Sequence, residues 1–327
     1  MIFISAQPHD LYFVWQVEVQ IVNFRKFGVS DKMHVVVWYP DTEIQKKRGQ
    51  KEEPFQKPLW DELSKKYPEV SFSFYKDSVL DIGLYIPVLR PRTLAKHFDK
   101  HSELANETIF YHDADIIFNF LPDFDKLSEG DINWQSDTSS YLDFSYLERK
   151  EKEGNIPDNE AIKKLCEIGN VSIDTFRSYT GKTGGAQCLL KRVDGDFWRD
   201  MERQVMEIRK AFAHSQSDSI NRKYFPSEDK GFQSWCADMW ALNMALWSRG
   251  RETNITSLLD FSWATDSYET FLKKPIMHNA GAVNSKEGLF YKGEWINKSP
   301  IGKTLQVKAD TASEQYVKAI QEVNVEN

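Results

Sequence analysis

Two carboxylates one residue apart, Asp113 and Asp115, stand inside the run Ile109-Phe-Tyr-His-Asp-Ala-Asp-Ile-Ile-Phe118. The rest of the run is apolar, β-branched and aromatic, the composition of a buried strand in an α/β sheet. Ionised aspartates are costly there unless a cation neutralises them, and a divalent metal is the obvious neutraliser. Side chains two apart on an extended segment point the same way, so both carboxylates could reach one ion at the strand's carboxyl end. Open α/β sheets hold their ligands at that end. His112 faces the other way and is expected to pack against the core.

Further candidates lie downstream. Ile276-Met-His-Asn-Ala-Gly-Ala282 offers His278 after a short apolar run, with Lys286 and Lys292 in the Gly-containing loop that leads to Trp295. A neutral imidazole suits manganese better than magnesium, and a lysine near the ion could hold phosphate as it leaves. The competing readings are a packed histidine and ordinary surface lysines. Thr180-Gly-Lys-Thr-Gly-Gly-Ala-Gln-Cys-Leu-Leu190 places Gly184 and Gly185 ahead of an apolar strand, which permits close approach of a ligand to the backbone. Its Gly-Lys-Thr is not a P-loop, since Phe176 occupies the position of the first glycine. Asp238 sits among aromatics in Trp235-Cys-Ala-Asp-Met-Trp-Ala-Leu242, where a carboxylate must be paired or functional; a helix cap or a buried pair with arginine competes. Gln135-Ser-Asp-Thr-Ser-Ser-Tyr141 supplies Asp137 with several hydroxyls, an edge suited to a sugar or acceptor. Trp235, Trp240 and Trp247 have near-helical spacing and read as core, with room for one to line an acceptor cleft.

The elements that must position these residues alternate. Strands are expected at Ile2–Ala6, Val35–Tyr39, Val70–Tyr75 and through the Asp pair, with helices at Leu11–Phe27, Pro58–Lys66 and Thr93–Leu104. That order predicts an α/β fold with a mostly parallel central sheet flanked by helices, the ends of the first and fourth strands lying along one edge. Thr42–Pro58 reads as an exposed loop or frayed helix. Ser145–Asn170 reads as a charged helical excursion with Glu148–Glu153 as a solvated face, while Asp194–Phe212 and Gly231–Trp247 carry helical spacing behind capping residues. An amphipathic helix is expected from Asp310 onward. No domain boundary stands out: the reading is one domain over 1–305, a nucleotide-binding half (1–118) and a sugar- and acceptor-binding half (119–305), followed by a helical tail (306–327).

The 327 residues are 41% hydrophobic and 13% aromatic, enough for a sizeable core, and the formal charge of −7 weakens any electrostatic grip on nucleic acid or an anionic membrane. There is no apolar stretch of membrane-spanning length, and the first residues are too short a run for a signal peptide. Cys166, Cys188 and Cys236 are an odd count without metal-ligand spacing, so reduced core thiols in a cytoplasmic protein are expected.

Taken in order, Trp15-Gln16, Leu89-Arg-Pro91, the Asp113/Asp115 strand, Trp235-Cys-Ala-Asp-Met239 and His278 through Trp295 resemble metal-dependent glycosyltransferases of the GT-A (Rossmann-like) fold. In particular they resemble the hydroxyproline O-arabinosyltransferases and peptidyl serine galactosyltransferases, and glycosyltransferase-like proteins of bacteriophages. The likeness runs from residue 1 to about residue 300. It implies Asp113, Asp115 and His278 as ligands of a divalent metal, manganese ahead of magnesium. It also implies the Ser5-Ala6-Gln7 strand end for the base of a UDP-sugar, Arg90 near the donor, and Gly184 and Gly185 beside the sugar. The donor-binding set extends to Gln187, Asn279, Gly281, Lys286 and Lys292 in the same segments. Arg90 stands where lysine is usual in that family, and those enzymes are membrane-anchored, so the acceptor does not transfer. Retention is implied, with the departing phosphate taking the acceptor proton; Asp238 would steady the anomeric carbon or orient a hydroxyl, or act as base were the outcome inversion. The acceptor hydroxyl could belong to a peptide, a glycan or a hydroxymethylated pyrimidine of phage DNA, the last served by the basic clusters Lys46-Lys-Arg48, Arg90/Arg92 and Arg222-Lys223.

Other classes fit less well. A phosphatase using its first Asp as nucleophile expects small or hydroxyl residues where Ile116 and Ile117 stand, and a nucleotidyltransferase expects a glycine-rich loop where Ser5-Ala-Gln-Pro-His9 stands. A non-catalytic carbohydrate-binding relative would not need Asp113, Asp115, Asp238 and His278 together.

Overall fold

The computed structural model describes residues 1–41, 56–77 and 85–324. Ten strands are described: β1 (Ile2–Pro8), β2 (Met33–Pro40), β3 (Ser71–Asp77), β4 (Thr108–Tyr111), β5 (Ile116–Phe118), β6 (Asn133–Asp137), β7 (Gly184–Lys191), β8 (Thr253–Ile255), β9 (Phe261–Trp263) and β10 (Ile276–His278). The main helices are α1 (Leu11–Lys26), α2 (Lys57–Lys66), α3 (Leu89–Lys100), α4 (Phe144–Glu153), α5 (Glu160–Gly169), α6 (Gly195–Phe212), α7 (Ala237–Trp247) and α8 (Ala312–Glu322). Most of the expected loop Thr42–Pro58, and with it Lys46-Lys-Arg48, falls outside the described residues. The chain forms two compact units, the first made of residues 1–80, 109–126 and 257–327, the second of 81–108 and 127–256.

In the first unit the strand order β3-β2-β1-β4 is parallel throughout, with Phe3 opposite Met33 on one side and Phe110 on the other. The chain therefore steps outward from β1 through β2 to β3, then returns to the opposite side of β1 as β4. Open α/β sheets hold their ligands at the carboxyl ends of the strands where the order reverses, here β1 and β4. Phe3 is fully buried and meets Phe24, Phe110, Phe118 and Phe124 edge-on, with ring centroids 5.2–6.3 Å apart. Helix α1 ends in a Schellman turn, with Val29 N–H on the Phe24 carbonyl, Gly28 N–H on that of Arg25, and Gly28 at φ +68°. The C-terminal helix α8 begins at a Thr311 side-chain cap, buries Tyr316, Val317 and Ile320, and packs on α1.

One expectation is corrected here. The Asp-bearing run is not a single strand: β4 stops at Tyr111, and Ile116 opens β5 in a separate three-stranded sheet, antiparallel to β10, which pairs in parallel with β9. Asp113 and Asp115 lie in the turn between them. Periodicity sees an apolar run but not which partner each half pairs with, so it cannot detect a change of sheet.

In the second unit β7-β6-β8 pair in that order, β6 antiparallel to β7 and parallel to β8, with an irregularity between Gln135 and Ser136. Helix α3 starts four residues before the expected Thr93, because Pro91 in a first turn needs no hydrogen-bond donor and does not break it. It ends at Lys100, and Ser102–Asn106 follow as a 3-10 segment. Helix α6 begins as expected, with the Asp194 side chain accepting from Phe197 N at 2.8 Å. Helix α7 is shorter than the expected Gly231–Trp247. Asn221 clamps Phe232 instead, accepting from its N–H and donating to its carbonyl, both at 2.7 Å, and this holds the preceding residues out of the helix. A Cβ on Gly231 would meet Asn221 Oδ1 at 2.4 Å, so the clamp requires glycine there.

The expected solvated face Glu148–Glu153 has one exception. Glu151 is buried and accepts from Ala161 N (2.9 Å) and Ile162 N (3.0 Å), capping α5, and burial raises its carboxyl above the ordinary value. All three cysteines are free and buried; burial pushes the Cys166 thiol up to about 11. Among the described residues no helix is long and apolar enough to cross a membrane.

Candidate functional site

The first unit assembles a charged cluster where β4 ends. Asp113 and Asp115 come from the β4–β5 turn, and His278 is the last residue of β10, whose antiparallel pairing sets it opposite Ile116. His278 Nε2 lies 3.3 Å from Asp113 Oδ2 and 3.4 Å from Asp115 Oδ1. Trp263 stacks on the His278 ring at 5.7 Å and 21°, and Phe261 packs beside it, fixing the imidazole plane. Lys292, from the loop after β10, donates from Nζ to Asp115 Oδ2. Asp115 and His278 are buried.

Charge balance explains the electrostatics. Burial opposes ionisation of Asp115, but the Lys292 ammonium and the His278 ring outweigh it and hold the carboxyl well below the ordinary range. Burial likewise opposes a charged imidazole, yet Asp115 and Asp113 raise His278 to about 9. Lys292 is raised too, against burial, mainly by Asp115. Two carboxylates thus face two cationic partners. Tyr12, on α1, and Tyr316, on α8, both feel Asp115: burial first, then that charge, raises each phenol. Tyr12 also meets Lys292 through its hydroxyl.

These residues fit a divalent cation. One donor atom from each of Asp113, Asp115 and His278 lies within 4.8 Å of the others, and two hard oxygens with one borderline nitrogen form a donor set suited to manganese or magnesium. The Asn279 side chain and the Tyr316 hydroxyl are both buried and interact with each other, a contact that partly offsets the rise of the Tyr316 phenol. Tyr12 and Tyr316 were missed by sequence reasoning. Tyr12 opens a polar stripe on α1 that was legible; Tyr316 lies 201 positions beyond Asp115, and only folding brings it in.

Other predicted residues of this unit are placed as follows. Ser5, Ala6 and Gln7 lie within β1, which runs on to Pro8, and all three are buried. Gln7 Nε2 donates to the Val36 carbonyl at 3.3 Å, while Gln7 Oε1 and Ser5 Oγ meet no partner among the described residues. Gly281 takes φ +89°, a conformation that favours glycine. Lys286 is exposed on a 3-10 turn, so of the two lysines only Lys292 joins the cluster. His112 packs against Phe24 and Phe110 as expected.

The second unit holds Asp238 in the first turn of α7. Its Oδ1 accepts from Tyr85 Oη at 2.8 Å, and Oδ2 lies 3.7 Å from Arg90. The arginine pairing weighed at the sequence level is therefore present. Burial, then Asp238, raises the Tyr85 phenol well above its ordinary value, and the Arg209 guanidinium lies 4.6 Å from its ring centroid. Trp240 and Trp247 are core, whereas Trp235 is half exposed and leans on Tyr141. Asp137 is exposed, its Oδ1 taken by Ser139 N (3.0 Å) and Ser139 Oγ (2.7 Å).

Gly184 and Gly185 have packing reasons of their own. A Cβ at Gly184 would meet the Ser136 carbonyl at 2.3 Å, and one at Gly185 would meet Met239 Sδ at 2.9 Å. Gln187 is buried and accepts from Ser136 Oγ at 2.9 Å. In the basic clusters, Arg92 pairs with Glu202 at 2.6 Å and Lys223 with Glu160 at 3.0 Å.

No family model matches the chain, and no curated protein matches it in sequence. Among solved structures, the galactosyltransferase LgtC in complex with donor and acceptor sugar analogues aligns over 100% of both chains, at 10% identity and a TM-score of 0.41. A likeness that distant decides neither family nor chemistry.

Proposed function

We propose that this chain is a metal-dependent glycosyltransferase acting on a nucleoside-diphosphate sugar. The observation that carries the proposal is the convergence of Asp113, Asp115 and His278 beyond the carboxyl end of β4, with Lys292 on the same cluster. When bound, a divalent cation would neutralise the diphosphate as it leaves. Lys292 would hold a phosphate oxygen, and the buried Asn279 amide would offer it a further hydrogen bond. Buried Ser5 and Gln7, in β1, suit recognition of a base. The donor we favour is a UDP-sugar of the arabinose, galactose or glucose type, with manganese as the ion.

In the transfer the acceptor oxygen forms a bond to the anomeric carbon as the bond to phosphate breaks. With retention, the departing phosphate oxygen takes the acceptor proton, so no separate protein base is required. Asp238, held by Tyr85 and Arg90, serves as the carboxylate that orients a hydroxyl; Asp137 is a weaker candidate, given its exposed turn with Ser139.

The test is hydrolysis of a panel of UDP-sugars with Mn2+ or Mg2+, followed by transfer from the best donor to hydroxymethylated DNA, peptide and glycan acceptors. Chelator and Asp115→Ala should each abolish turnover, the variant remaining folded. Full activity in chelator would sink the assignment.

A further inference from the structure

Helix α1 carries an anomaly. It is buried and largely apolar, yet Gln16, Gln20 and Asn23 are buried with it, and with Tyr12 they recur every three or four residues along one face. Gln20 is fully buried. Its Nε2 donates to the Asp113 carbonyl at 2.9 Å and lies 3.4 Å from the Ile116 carbonyl and 3.3 Å from His112 Nδ1. Three residues on, Asn23 Nδ2 donates to the Phe118 carbonyl at 3.0 Å, and Asn23 Oδ1 accepts from Phe118 N at 2.7 Å. These amides grip the segment in which the chain leaves one sheet and enters another.

A turn between two sheets leaves carbonyls without strand partners, and burial makes each of them costly. Asn279 N–H takes the Asp115 carbonyl at 2.9 Å, and Gln20 serves those of Ile116 and Asp113, the latter also met by His112 Nδ1 at 3.0 Å. The amide orientation is forced, because both carbonyls only accept and must face its nitrogen. Gln20 Oε1 then meets no donor among the described residues. An apolar residue would avoid that cost, so what glutamine contributes at position 20 is its grip on the Asp turn.

We infer that Gln20 is a positioning residue for the metal site: it sets the backbone of the Asp113–Asp115 turn so that both carboxylates converge with His278. The inference rests on the proposed metal-dependent function. Residues that orient metal ligands from behind typically change affinity by about 10–100-fold when removed. Gln20→Met keeps the length and loses the donor. Its Mn2+ affinity, read by calorimetry and by the signal of free Mn2+ in electron paramagnetic resonance, should fall about tenfold or more. Ile21→Ala, a core truncation on the same helix, should lower the melting temperature while leaving Mn2+ affinity unchanged in the folded protein. Should Gln20→Met fail to fold, Gln20→Asn, one methylene too short to serve both carbonyls, should show the same loss. Unchanged affinity in the folded Gln20 variant, or an equal loss in Ile21→Ala, overturns the inference and leaves the metal reading standing. Absence of Mn2+ and Mg2+ binding in the wild type sinks both.

Discussion

At the scale of single residues, the cluster at the end of β4 is defined by charge compensation. Lys292 occupies Asp115 Oδ2, an oxygen that a divalent cation would also seek. Two cations so close repel by several kcal/mol even at an effective dielectric of about 20. Lys292→Met should therefore raise Mn2+ affinity, by about tenfold if the repulsion is partly screened. The same variant should bind UDP more weakly, because a phosphate loses its ammonium partner. Calorimetric titrations with Mn2+ alone and with UDP plus Mn2+ separate the two effects; weakened binding of Mn2+ alone would show that Lys292 supports the ion rather than competing with it. Asp113 and Asp115 were legible as a pair from their types and spacing, whereas His278 joined them only through the resemblance to metal-dependent glycosyltransferases. Lys292 could not be told from Lys286 in sequence, since only the path of the loop after β10 decides which of them reaches Asp115.

At the scale of elements, the structure relies on single polar side chains that substitute for secondary structure. Gln20 and Asn23 tie down the β4–β5 turn, Asn221 holds Phe232, and Glu151 caps α5 from a neighbouring helix. Each amide or carboxylate bonds backbone groups at places where regular secondary structure begins, ends or changes partner. Glu151→Ala should cost about 0.5–2 kcal/mol, the usual range for loss of a helix cap, and thermal or urea unfolding would read it. No loss of stability would place Glu151 among the incidental contacts. Helices with a local signature, such as α6 behind Asp194, were predicted closely. The start of α7 was not, because the clamp that sets it comes from a residue outside the helix.

At the scale of the whole molecule, acid stability follows from bridges between elements. Asp200 on α6 accepts from Arg203 and, beyond the end of α7, from Arg249, both at 2.7 Å. Burial raises its carboxyl, but the hydrogen bonds from Arg249 and Arg203 outweigh that and leave it below the ordinary value. A carboxyl depressed in the folded state contributes stability above its unfolded pKa of about 4 and loses it as pH falls through the folded value. Asp200→Asn should therefore melt below the wild type at pH 7, and the gap should narrow below about pH 4. A gap that stays constant with pH would mean that packing, not charge, accounts for the effect.

The sequence by itself determined the α/β class, the order of the first strands and helices, and the presence of two aspartates one residue apart in an apolar run. Those follow from periodicity, caps and composition, which are local and survive without tertiary contacts. Only the tertiary structure decided that the Asp pair sits in a turn between two sheets, that Lys292 rather than Lys286 meets it, that Tyr316 of the C-terminal helix borders it, and that Asp238 is held by Tyr85 and Arg90. The reason is physical. Two carboxylates, one buried and one partly so, state a need for positive charge and hydrogen bonds, but residues distant in the chain can answer it in many ways, and packing selects one.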